Sequence, residues 1–319
     1  MSIIYFSDLR PLRERFDRDG YVILEKYFSP QKIDSVVATL SKLLGEGSRD
    51  VVVDNVTTGK RTFWAHAADR ETGFFKFNDL YLLNDELREI ALEPVLSSFM
   101  GELLGQPVVL SNSLNCFKSS MQPKHLDSLY MTPASPGALI AMWVALEDVH
   151  RDAGPLTYYP HSHKIPLFRF KDGTHHANAT EMTIWNAYIE DEVRSRKLSE
   201  HTLIAKKGDV MIWHSDLLHT GGWVKNRILT RKSFACHYFG LSDCKAQKQQ
   251  IVPLHRGFWM QRLRQPVRVP LEVFAIGERF PEKDYLQRYP DVRVAVETGK
   301  CPSGWMHYQT QGFDEGRGI

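Results

Sequence analysis

The chain has 319 residues, 43% apolar and 24% charged, the composition of an ordinary globular protein that is long enough to bury a core without disulfide or metal staples. With 40 Lys and Arg against 38 Asp and Glu the formal charge is only +2, which argues against nucleic acid or an anionic membrane surface as a partner. No apolar run is long enough for a membrane-spanning helix. The N-terminus carries no basic lead followed by an apolar stretch, and Cys116, Cys236, Cys244 and Cys301 form no CxxC pair, so cytoplasmic residence with reduced thiols is the expectation.

The first hundred residues read as mixed α/β. Pro11 to Asp19 predicts a short charged helix, and Gly20 to Leu24 a β-branched and aromatic strand. Ser29-Pro30 supplies an N-cap followed by proline at the first helical position. The helix it opens places Ile33, Val36, Val37, Leu40 and Leu44 on one face. Residues 82–104 predict two more helices, parted near Glu93-Pro94. From residue 107 the texture changes to short β-rich runs at 108–117, 137–147, 154–159, 203–213 and 233–239, a spacing that suggests a sandwich or barrel. Residues 164–202 interrupt these runs with a His-containing loop and a helix from about 180 to 197, the pattern of a lid-like insertion. Residues 251–319 read as a linker and a small helical C-terminal extension, beginning at Arg279-Phe280 and broken at Tyr289-Pro290. This tail resembles a small aromatic and proline-rich motif found beside glycan-modifying modules.

Three clusters carry chemistry: Lys124-His125-Leu126-Asp127, Trp213 to Gly222 with His214 and His219, and Thr230-Arg231-Lys232-Ser233. A His-x-Asp pair on extended backbone sends both side chains to one side. A distal histidine then closes a face of two imidazoles and one carboxylate, a donor set that suits Fe(II) and leaves half of an octahedron open. A trailing arginine can grip a dicarboxylate through two parallel hydrogen bonds. No Gly-rich nucleotide loop is present.

These clusters, with Phe16 to Val22, Trp143 to Asp148, Gly154-Pro155-Leu156, Pro160 to His163, Lys207-Gly208-Asp209 and the strand Phe234 to Phe239, resemble the phytanoyl-CoA dioxygenase family of Fe(II)- and 2-oxoglutarate-dependent oxygenases. The resemblance implies an α+β fold with a double-stranded β-helix (jelly-roll, cupin-like) core flanked by N-terminal helices, spanning about residues 1–250. It implies iron ligation by His125, Asp127 and His219. Arg231 would bind the distal carboxylate of 2-oxoglutarate, with Ser233 as helper, while Lys118 contacts the cosubstrate and Trp143 stands in the barrel wall. Two departures touch the cosubstrate contacts: Gly221 stands where relatives often carry a hydroxyl, and His219 lies one residue further from Arg231 than usual.

The implied reaction is oxidation of an aliphatic C–H bond of a small metabolite, hydroxylation first, with desaturation or ring closure by the same oxidant left open, using Fe(II), 2-oxoglutarate and O2 and releasing succinate and CO2. Asp127 argues against a halogenase, whose relatives place a small residue there. Two rival readings remain at this point: a cupin-like zinc hydrolase or isomerase, which needs no Arg-x-Ser, and a non-catalytic glycan-associated binding protein. Oligomeric state is not legible in the sequence. His214 is a second choice for the distal ligand, His161 and His163 read as structural, and Arg227 as a surface charge.

Overall fold

The computed structural model describes residues 9–45, 50–67, 70–265, 267, 281–301, 303–312 and 315–318. Helix α1 (Arg10–Asp19) ends at Gly20, whose φ of 85° is the left-handed turn that starts β1 (Tyr21–Leu24). Then come α2 (Pro30–Gly45), β2 (Val52–Asn55), β3 (Arg61–Phe63), β4 (Phe75–Asn78), α3 (Asp85–Ala91) and α4 (Pro94–Leu104). The sequence reading found the helices but missed β2, β3 and β4, which are only three or four residues long and carry charges on their half-buried face.

The barrel strands are β5 (Val108–Cys116), β6 (Leu139–Ala145), β7 (Leu156–Tyr158), β8 (His201–Thr202), β9 (Val210–His214), β10 (His219–Gly221) and β11 (Ser233–Gly240). Helix α5 (Met182–Ser195) lies between β7 and β8, and helix α6 (Leu241–Ala246) leads from β11 to a ribbon of β12 (Ile251–Leu254) and β13 (Gly257–Met260). The large sheet runs β1-β9-β6-β11-β5-β4-β2-β3, antiparallel throughout this order, and the small sheet runs β10-β7-β8. A bridge between His125 and His219 adds the loop at 125 to the small sheet's edge.

Alternation along the strands of the large sheet divides its two faces. Ile140, Met142, Val144, Ile212, Phe234, Cys236 and Tyr238 turn outward into one cluster with Ile33, Val36 and Leu40 of α2, Leu87 and Ile90 of α3, and Phe99 of α4. Ala141, Trp143, Ala145, Met211 and Trp213 turn inward and meet Leu156, Tyr158, Leu203 and Leu217. This is the helix-flanked double-stranded β-helix that the resemblance implied.

Two boundaries differ from expectation. Residues 251–260, expected as linker, form the β12–β13 ribbon, and Phe258 and Trp259 pair in parallel with Val109 and Leu110, so the sheet continues past residue 250. The insertion 164–202 packs Phe170, Trp185 and Ile189 against Leu126, Leu129 and Leu218, behind the segments that carry the histidines. It is a buttress with its own apolar core, and none of its residues lines the central cavity.

Beyond the ribbon, α7 (Glu282–Arg288) and α8 (Pro290–Glu297) pack Tyr285, Val292 and Tyr308 into a small separate cluster. Arg279-Phe280, where the tail helix was expected to begin, lie outside the described residues. Among the described residues no helix is long and apolar enough to cross a membrane.

Candidate active site

The inward strand face and the small sheet enclose a cavity of about 840 Å³. Its floor is set by alternation: Lys76 and Asn78 from β4, Asn112, Leu114 and Cys116 from β5, and Ser233, Ala235, His237 and Phe239 from β11. His125, Asp127 and His219 stand on its wall, each less than 10% exposed. One donor atom from each lies within 4.8 Å of the others.

Local backbone explains the convergence. His125 and His219 exchange both backbone hydrogen bonds, at 3.0 and 3.1 Å, which sets the rings side by side with centroids 4.2 Å apart and planes tilted by 53°. His125 Nδ1 lies 2.7 Å from the Pro123 carbonyl and His219 Nδ1 2.9 Å from the Leu217 carbonyl. A carbonyl can only accept, so both Nδ1 atoms carry a proton, and it is the Nε2 atom of each ring, in its neutral form, that offers a lone pair to the cavity. Those two Nε2 atoms lie 3.8 and 3.6 Å from Asp127 Oδ1. The other carboxylate oxygen, Oδ2, accepts from the indole N–H of Trp213 at 2.8 Å.

The electrostatics match a cation site. Burial, with the neighbouring His219, lowers the His125 pKa to about 3, so its imidazole is neutral. Burial alone would raise Asp127, but His219 and His237 outweigh it and hold the carboxyl below its usual range. Two imidazoles turned Nε2-first toward one buried carboxylate, each oriented by a partner on its far atom, are the donor set of a first-row divalent metal.

Arg231 lies on the same cavity, 3% exposed. Its Nε and Nη1 have no hydrogen-bond partner, and burial lowers its pKa. A buried guanidinium with empty donors is costly unless an anion arrives to fill them. The Arg231 guanidinium carbon sits 5.8 Å from the Trp143 ring centroid, and Ser233 is two residues on along the same face.

The structure therefore brings His125, Asp127, His219, Arg231, Ser233 and Trp143 to one cavity. It does not bring Lys118, whose amine donates to the Thr72 carbonyl at 3.1 Å and lies over the Phe74 ring. The lysine that lines the cavity is Lys76, on the short β4 strand that sequence reasoning overlooked. His214 pairs with Asp216 at 3.6 Å and stands outside the three-residue cluster. His161 and His163 bond to backbone carbonyls of α1, and Arg227 covers Phe74. Gly221 has a local reason: a Cβ there would lie 2.2 Å from Ser120 Oγ. Ser120, itself a lining residue, occupies that space.

Sequence reasoning also gave no role to His237, or to Trp213 at the head of its second cluster. His237 Nε2 lies 3.5 Å from Asp127 Oδ1, and its Nδ1 lies 3.0 Å from Asn112 Oδ1. The Asn112 amide nitrogen donates to Asp79, which Arg262 also holds. The register break between His237 and Tyr238 marks an irregularity in the β11–β5 pairing beside this contact. The available signal was the period of two from Ser233 through Ala235 to His237.

Comparison with known proteins agrees with this architecture. The phytanoyl-CoA dioxygenase of peroxisomes from Rattus norvegicus is 24% identical over 245 residues, 73% of this chain and 68% of that protein. A phytanoyl-CoA dioxygenase 1 from Oryza sativa subsp. japonica is 22% identical over 282 residues, 77% of this chain and 92% of that protein. The solved structure of SnoN, a non-heme alpha ketoglutarate dependent epimerase from nogalamycin biosynthesis, superposes with a TM-score of 0.56 at 20% identity, over 80% of this chain and 98% of that one. EctD from S. alaskensis gives 0.54 at 17% identity, over 76% and 80%. The family model described as phytanoyl-CoA dioxygenase (PhyH) matches residues 16–232, and the chain belongs to that family of dioxygenases.

Proposed function

We propose that the protein is a non-haem Fe(II)- and 2-oxoglutarate-dependent dioxygenase that hydroxylates an aliphatic C–H bond of a small molecule. The observation that carries this reading is the pairing, in one cavity, of the His125–Asp127–His219 cluster with an arginine whose buried donors have no partner. A zinc hydrolase would use the first feature and leave the second without purpose.

His125 and His219 would hold the metal through Nε2 and Asp127 through Oδ1. Bound there, iron with 2-oxoglutarate and oxygen supplies the oxidant for the C–H bond, the cosubstrate leaving as succinate and CO2. Arg231 provides the fork for the distal carboxylate, and the Ser233 hydroxyl adds a donor beside it. Lys76 takes the part expected of Lys118. Trp143 and Leu156 line the same cavity and would help exclude water from a bound cosubstrate. The carbonyls of Pro123 and Leu217 keep both imidazoles in the metal-binding tautomer throughout.

A small-molecule substrate is supported by the cavity's size and by two of the similar structures: SnoN was solved with Fe3+, alpha ketoglutarate and nogalamycin RO, and EctD with 2-oxoglutarate and 5-hydroxyectoine. The unit performing this chemistry runs to the end of the β12–β13 ribbon, because Met260 and Arg262 line the same cavity. The helices after residue 281 form a separate extension.

The test is succinate release from 2-oxoglutarate by anaerobically reconstituted protein, on admission of oxygen, across a metabolite panel. Turnover should need Fe(II) and vanish in Asp127→Ala. Equal turnover under nitrogen, or with Zn(II) in place of iron, would overturn the assignment.

A further inference from the structure

Asp127 has two carboxylate oxygens, and a dication can be held by one or by both. Three protein ligands leave three of six octahedral positions free, whereas a chelating Asp127 would consume one of them. The structure commits the two oxygens to different partners. Oδ1 faces the Nε2 atoms of His125, His219 and His237 at 3.8, 3.6 and 3.5 Å. Oδ2 accepts the Trp213 indole N–H at 2.8 Å, with both side chains buried. An indole nitrogen is a donor only, so this contact has one polarity and cannot invert.

Trp213 is well placed to impose it. On β9 it pairs with Tyr21 of β1 and with Ala141 of β6, in the middle of three bonded strands, so its backbone is fixed on both sides. Its ring also packs against the ring of His219, centroids 5.2 Å apart at 57°. One side chain thus touches two of the three proposed ligands.

We propose that Trp213 is a positioning residue that restricts Asp127 to single-oxygen ligation, keeping the position beside it free for the cosubstrate. This rests on the metal-site reading above. A hydrogen bond to a charged acceptor belongs to the stronger class, and outer partners of metal ligands commonly govern about 10- to 100-fold in affinity or activity. Phenylalanine preserves most of the ring and removes only the donor, so Asp127 Oδ2 would turn toward the metal.

Co(II)-loaded full-length protein provides the assay, with 2-oxoglutarate itself as the probe. In Trp213→Phe the visible d–d spectrum should change in band position and intensity, and the dissociation constant for 2-oxoglutarate should rise about 10-fold or more. The same spectrum and the same constant as wild type would overturn the inference. Should that variant fail to fold, the wild type decides alone. Its Trp213 indole N–H resonance, in the Zn(II)-loaded protein, should lie far downfield and resist solvent exchange, and a freely exchanging resonance unmoved by loading would overturn it. The site reading fails separately, taking this inference with it, if wild-type Co(II) affinity survives Asp127→Ala or if the Co(II) form binds no 2-oxoglutarate.

Discussion

The two faces of the large sheet are made by the same strands yet obey opposite rules. On the outer face Val144, Ile212, Phe234 and Tyr238 are wholly buried against the helices. One residue away, the inner face carries Trp143, Trp213, Ser233 and His237, and the Nε and Nη1 donors of Arg231 beside it are left without partners. The outer face gains stability from apolar area removed from water. The inner face gives up stability to hold charge where water is scarce, which is how a binding site differs from a core built on the same alternation. Substitutions on the two faces should therefore move stability and binding in different directions.

The sharpest break comes from the outer face. Phe234→Ala removes a fully buried ring and should cost about 3–5 kcal/mol of stability, read by urea unfolding, while affinity for 2-oxoglutarate in the still-folded protein stays within experimental error. A large loss of affinity there would mean the faces are coupled. Arg231→Met makes the opposite statement. The apo protein should become more stable by about 1–3 kcal/mol, because an unsatisfied buried guanidinium is gone. The dissociation constant for 2-oxoglutarate should rise about 100-fold, equivalent to about 3 kcal/mol. A destabilised Arg231→Met would show that the guanidinium is satisfied in the apo protein. The two lysines give a smaller effect. Lys76→Met should weaken 2-oxoglutarate about 10-fold, about 1.4 kcal/mol, and Lys118→Met should not alter it. The reverse order would return Lys118 to the site.

Much of this was legible because the sequence repeats short rules. Ser29-Pro30 marked the start of α2, and the spacing of Ile33, Val36, Leu40 and Leu44 marked its buried face. His125-Leu126-Asp127 and His219 stood out because two donor types recur in order around a barrel pattern. Lys76 was missed for a physical reason: β4 has four residues and takes its place from pairing with β2 and β5, partners far away in the chain. Residues 251–260 read as linker although they form a ribbon: β12 and β13 have four residues each, and Pro253 sits in β12, where a proline weakens the strand pattern. The length of the insertion and its His-containing loop suggested a lid. In the structure Phe170 and Trp185 are needed to close the insertion's own core, a demand that no local pattern announces.

His163 belongs to neither face and isolates the part of the acid response that the cavity does not supply. Its Nε2 donates to the Asp17 carbonyl at 3.2 Å, tying the turn after β7 to α1. Its Nδ1 is buried without a partner, pressed against Gly20 so closely that a Cβ there would lie 2.4 Å away. Burial lowers its pKa from 6.5 to about 4, with the ring of His214, 5.6 Å off, adding to the effect. The folded value lies below the unfolded one, so the unfolded chain takes up the proton first as the pH drops. Stability is then unaffected above pH 6.5, declines from there to about pH 4, and levels off below. The ring is partly solvated, which reduces the contribution to on the order of 1 kcal/mol, or about 2–4 °C in melting temperature. Thermal melts at pH 7 and pH 4.5 should separate wild type from His163→Gln by that amount more at the lower pH, in favour of the variant. Parallel curves would assign the acid sensitivity elsewhere, and an amide at 163 that melts lower at both values would show the Asp17 contact to matter more than the buried nitrogen.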